Sequence, residues 1–236
     1  MFSAIDSVGG TQPFNDWFTP DTTQRHVLGM KVSAVDPYWG YGEFIYLKAG
    51  SSLNKGNVCV INASFTATTA PATANTGYPV CVAMAPMSAN TFGWFQTMGL
   101  AVYAMNATVT ADAAVGVAAA GVLGTNVAGR QVLGLRHLRP QTATITVQAT
   151  LTAGSPVVLT GGYDGFFVGM ALSGTGVPAS TVVGRLDADG RTIYMGSAVG
   201  LSDKLATSSG QITLTGTYTG FGAGIIHSPF MQGAIT

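Results

Sequence analysis

Thr142-Ala143-Thr144-Ile145-Thr146-Val147-Gln148-Ala149-Thr150-Leu151 alternates hydroxyl or amide side chains with apolar ones without a break. Successive side chains of an extended chain point to opposite faces, so this period of two predicts a half-buried strand. The pattern returns downstream, where Ile212, Leu214, Gly216 and Tyr218 alternate with Thr213, Thr215, Thr217 and Thr219. Between the two lie apolar runs at Val157–Leu159, Phe166–Leu172, Thr181–Leu186 and Thr192–Met195, separated by Gly161-Gly162, Gly174-Thr175-Gly176 and Asp189-Gly190. Gly and Asp are turn residues, and Asp-Gly between apolar runs marks a hairpin. Residues 141–236 therefore read as a second small β-sandwich domain with a C-terminal tail.

Upstream of Pro140 the same logic gives short strands at Phe44–Leu47, Asn57–Ala63, Val80–Met84, Val115–Ala119 and Val132–Arg136. Gly93–Gln96 and Leu100–Met105 read as a hairpin across Thr97-Met98-Gly99. Residues 36–140 are then a small β-barrel or sandwich domain, and the fold class is all-β. The first thirty-five residues differ. Ser7 to Thr23 is rich in Gly, Pro, Asn and Thr, yet carries Phe14, Trp17 and Phe18. Free linkers are poor in aromatics. Residues 1–35 are read as an extended N-terminal arm that docks its aromatics elsewhere, and Tyr38, Trp39 and Tyr41 continue the aromatic run. Covering the chain's own core is the equal alternative, since aromatics dominate core and interface burial alike.

Hydrophobic residues make up 47% of the 236 and charged residues only 8%, against roughly 25% in an ordinary soluble protein. Between Lys55 and Arg130 the one charged side chain is Asp112. Such a surface suits a protein packed against neighbours. Ten basic and ten acidic residues cancel, so there is no footprint for nucleic acid. Arg130, Arg136, His137 and Arg139 form one modest basic cluster, read either as a solvated turn before Pro140 or as an anchor for an acidic patch on a partner. The opening residues lack a basic and then apolar leader pattern, and Ala111–Leu123 is too short and too Gly-broken to span a membrane. The chain is expected to be made in the cytoplasm.

His26, His137 and His227 stand in different regions, with no nucleophile-elbow spacing near any Ser. One Glu and nine Asp are few for a glycosidase pair. Asp187-Ala188-Asp189-Gly190 has the opening of a calcium loop but no bidentate Glu, and reads as a β-turn. Cys59 and Cys81 sit in the apolar runs Val58-Cys59-Val60 and Val80-Cys81-Val82 and read as buried thiols, with a disulfide open if their strands pair. No enzyme activity, cofactor or metal is expected.

Glu43-Phe44-Ile45-Tyr46-Leu47-Lys48-Ala49, then Lys55-Gly56-Asn57-Val58-Cys59-Val60, then Val80–Met84 followed by Phe92-Gly93-Trp94-Phe95-Gln96-Thr97-Met98-Gly99 and the Ala/Gly-rich Ala111–Leu123, resemble in running order the head decoration (capsid cement) family of tailed bacteriophages. Phe167–Pro178 is similar to a small β module of phage head and tail proteins. The resemblance implies a homotrimer bound to the major capsid protein on the outside of an assembled shell, which it stabilises; the location would be the virion surface. Phe14, Trp17, Phe18, Tyr38, Trp39, Tyr41, Arg130, Arg136 and Arg139 are the expected capsid or subunit interface. The alternative is a tail or fibre subunit with a structural or host-adhesion role.

Overall fold

Val, Ile, Thr and aromatic residues in short runs, broken by Gly, Asn and Pro, favour a pleated backbone throughout, and a computed structural model has no helix among its described residues, which are 3–4, 17–36, 39–106, 109–139, 143–163, 165–187, 189–197 and 202–234. The protein is all-β. It divides into two compact units, one formed mainly by Thr142–Thr219 and the other by Ser3–Val35, Trp39–Gln141 and Gly220–Thr236.

The larger unit contains strands β1 (Ser3–Ala4), β2 (Lys31–Asp36), β3 (Gly40–Ala49), β4 (Val58–Ile61), β5 (Thr66–Thr69), β6 (Val80–Ala83) and β7 (Phe92–Ala104). β8 (Val115–Ala119), β9 (Val122–Thr125) and β10 (Val132–Arg139) follow. Strands β3, β5, β4, β6 and β7 pair in that order, and β7 pairs again with β3, so the sheet closes on itself. The ring is filled by Ile45, Leu47, Cys59, Ala67, Cys81 and Phe95 among others. The strand period of two sends the alternate residues outward into a second core, where Val58, Val60, Val80 and Val82 meet Tyr103, Met105, Val117 and Leu123.

β7 corrects the expected hairpin at Thr97-Met98-Gly99. It is one continuous strand in which Thr97 is an extra residue between the pairs Glu43↔Met98 and Phe44↔Gln96. A bulge leaves ladder groups unpaired, and local side chains take them up. The buried Gln96 Nε2 donates to the carbonyls of Met98 and Leu100, both at 3.1 Å. The Thr97 hydroxyl donates to the Glu43 carbonyl. Beyond the bulge, the edge of β7 that pairs with β6 at Phe95 and Gln96 pairs instead with β17 (Phe221–Met231).

β17 lies between β7 and β10, so the expected boundary is corrected: the last segment is no tail of the second domain but a central strand of the first. Its glycines fit it there. A Cβ on Gly224 would stand 2.3 Å from the Arg136 carbonyl oxygen and 2.7 Å from the Tyr103 hydroxyl, so only glycine admits this close approach.

The second unit is a closed barrel rather than a sandwich. It consists of β11 (Ala143–Leu151), β12 (Val157–Thr160), β13 (Ala171–Ser173), β14 (Thr181–Leu186), β15 (Thr192–Ser197) and β16 (Gly210–Tyr218). β11 and β16 pair along their whole lengths, from Ala143↔Tyr218 to Leu151↔Gly210. Phe166, Met170, Val183, Ile193, Met195 and Leu214 are buried. Of the expected strand Phe166–Leu172, only its end joins β13; the rest turns inward to fill the barrel beside Gly216. Asp189 shapes the β14–β15 turn by accepting from the Arg191 and Thr192 backbone N–H groups, the role that its sequence context predicted.

Candidate functional site

The expected interface residues separate into three environments. Trp17 is fully buried against Phe44, with ring centroids 4.4 Å apart, and against Trp94 at 5.3 Å. His26 and Tyr46 extend the cluster. Asp21 ties the segment down: its backbone pairs with Phe92, it accepts from the Tyr46 hydroxyl at 2.6 Å, and it bridges Arg25 at 2.9 Å. The stretch from Trp17 to His26 of the expected arm is therefore a cover over the outer face of β3 and β7 within its own unit, while Ser3–Ala4 and Lys31–Val35 of that arm are sheet strands β1 and β2. Phe18 lies under the Lys55 ammonium, 4.8 Å from it, and Trp39 is buried. Tyr41 alone of the described aromatics expected at an interface is well exposed, its hydroxyl 3.0 Å from Glu43 Oε1 and 3.1 Å from Ser33 Oγ. Phe14 and Tyr38 lie outside the described residues.

The basic cluster does not assemble as one patch. β10 is a strand, so Arg136 and His137 face opposite ways. Arg136 is exposed and pairs with Asp112 at 2.5 Å, which holds that carboxyl below its ordinary value. His137 is fully buried. Its Nε2 contacts the Val109 carbonyl at 3.1 Å and must carry the proton, so Nδ1 accepts from the Tyr103 hydroxyl at 2.7 Å. Burial depresses the His137 pKa, against the opposing pull of the Val109 carbonyl. Arg130 is half-buried ahead of β10, and the Arg139 side chain lies outside the described residues.

Cys59 and Cys81 are cross-strand partners with free thiols. Burial pushes both thiols up, away from the reactive thiolate. Among the described residues no group of three His, Cys, Asp or Glu side chains is placed to hold a metal ion.

What the surface presents beside a few scattered charges is polar but uncharged, or apolar. On the barrel, exposed Thr144, Thr146 and Gln148 of β11 stand opposite Thr217, Thr215 and Thr213 of β16. On the larger unit, Tyr78, Phe65, Ile225 and Phe230 are each more than two-fifths exposed. A pocket of about 580 Å³ opens on that unit, with Ile45, Ile61 and Val80 in its lining and Phe65 and Tyr78 at its sides. Two of its residues, Phe65 at φ 54° and Ser228 at φ 43°, hold the left-handed backbone that residues with a Cβ seldom adopt. The Phe65 turn is fastened by Asn62. Its Oδ1 accepts from the Ser64 and Thr66 N–H groups, and its carbonyl accepts from the Phe65 N–H. Sequence reasoning missed this pocket because its lining is drawn from widely separated stretches.

No protein-family model, curated protein or solved structure matches the chain.

Proposed function

We propose that this chain is a structural, non-enzymatic virion protein that binds the outside of an assembled phage capsid as a decoration, or cement, subunit. The observation that carries the reading is the charge-poor surface: exposed strand faces bear threonines, tyrosines and aliphatic groups, in a chain with 8% charged residues. That surface is suited to burial against neighbouring subunits. The running-order resemblance of Glu43–Leu123 to decoration proteins supports the same conclusion. In this reading the partners are the major capsid protein and two further copies of the chain. Many weak contacts per shell add by multivalency, and binding to the assembled state stabilises it by mass action.

The second reading, a tail or fibre subunit, draws on the threonine face of β11 and β16, which could meet a host surface. Quantitative mass spectrometry of purified virions separates the two. A copy number comparable to the major capsid protein is the expected result. A small minority copy number would favour the tail or fibre, and absence from virions would overturn both.

A further inference from the structure

The pocket beside the Phe65 turn is apolar at its base and rimmed by hydrogen-bond donors. Lys31 is exposed and has no ion pair among the described residues. The exposed Asn62 carboxamide spends its oxygen on two backbone N–H groups, which leaves its NH2 as the donor it can offer a ligand. The Thr97 hydroxyl is already committed to the Glu43 carbonyl. Among the described residues no carboxylate lines the cavity. Its volume of about 580 Å³ falls within the range of ligand sites.

We propose that this pocket binds an extended segment of a partner protein in which a bulky apolar side chain stands next to an Asp or Glu. The apolar side chain enters over Ile45, Ile61 and Val80, and the carboxylate meets Lys31 and the Asn62 amide. A sugar fits poorly, because a mostly apolar lining would strip its hydroxyls of water without replacing their hydrogen bonds. A cationic ligand fits poorly beside an unpaired lysine.

The backbone around the pocket is an independent reason to assign it a role. Phe65 holds a strained conformation, and its ring rests on Gly29, where an added Cβ would come within 2.6 Å of it. Its carbonyl accepts from Lys48 N–H at 3.1 Å. All of this fixes a ring that remains 43% exposed. Strain of this kind persists where surrounding structure enforces it, and it concentrates at binding sites. The inference does not depend on the capsid reading, because it concerns the chemistry of the segment and not where its owner resides.

The test uses the full chain and a fluorescein-labelled peptide, Gly-Ser-Leu-Asp-Ser-Gly, with versions carrying Asn for Asp or Ala for Leu, read by fluorescence polarisation. Saturable binding of the Leu-Asp peptide is expected, with each altered peptide weaker by about fivefold or more, the scale of one charge-assisted bond or one buried side chain. Lys31→Gln should bring the Leu-Asp peptide down to the affinity of the Leu-Asn peptide and leave the latter unchanged. Tyr78→Ser should weaken both alike. Thermal melts matching the parent show that the variants fold. No saturable binding, or an Asp preference that survives Lys31→Gln, would overturn the proposal.

Discussion

Arg136 and His137 are adjacent, yet one sits in water and the other in the core, and the difference sets a pH dependence. The folded imidazole protonates below its ordinary 6.5 because burial disfavours the cation. Below pH 6.5 the unfolded chain takes up a proton that folded His137 resists. Stability is therefore complete above 6.5 and declines as pH falls from there toward the folded-state value. Urea midpoints at pH 7.5 and 5.5 should differ in that direction, and His137→Gln should reduce the difference; His26, also depressed by burial, leaves a remainder of the same sign. Tyr103→Phe strands Nδ1 and should cost about 1–3 kcal/mol at pH 7.5. The aromatics make a sharper contrast. Trp17→Ala should cost about 3–5 kcal/mol, as a buried Trp does. Tyr41→Ala should stay within about 0.5 kcal/mol, as exposed positions do, and if Tyr41 meets a partner its loss should appear in binding instead. Trp17 and Tyr41 could not be told apart from composition, because an aromatic in an irregular segment serves core and interface equally. Cys59 and Cys81 were legible as buried thiols, because each sits in an apolar, strand-like run.

Strands that keep the apolar alternation, such as β11 and β16, were legible at nearly their full length. β7 and β17 were not, and in each case another residue explains why. β7 was divided at Thr97-Met98-Gly99 because Gly in an apolar run signals a turn. Here Gly99, at φ 100°, serves a bulge, and its position faces the Tyr41 carbonyl, where a Cβ would stand only 2.3 Å away. Gly99→Ala should therefore destabilise by about 2 kcal/mol or more, the sum of left-handed strain and a backbone clash. Chemical denaturation would measure it. β17 was missed because Gly222, Gly224 and Pro229 weaken its strand propensity, while what selects glycine is the Tyr103 ring and the Arg136 carbonyl on neighbouring strands. That information is tertiary. The pocket was hidden for the same reason, since the left-handed turn at Phe65 is enforced by Asn62, Gly29 and Lys48 together.

For the molecule as a whole, the division into two compact units predicts two transitions in scanning calorimetry instead of one. The scarcity of charge predicts that attachment to a shell depends only weakly on salt, because few ion pairs are available to be screened; release by moderate salt alone would contradict the decoration reading. The order of strands carries a further consequence. β10 ends at Arg139, β17 begins at Phe221, and Arg139 is the register partner of Ala223. The barrel's first and last strands are likewise partners, with Ala143 opposite Tyr218. Both units therefore have their severed ends side by side, as a plug and a socket do. A short Gly-containing turn in place of residues 140–219 should leave the remaining strands folded, and the barrel should fold when produced alone. The junction between β10 and β17 is then a natural grafting point, at which one guest module can be exchanged for another of equally close ends without recutting its host.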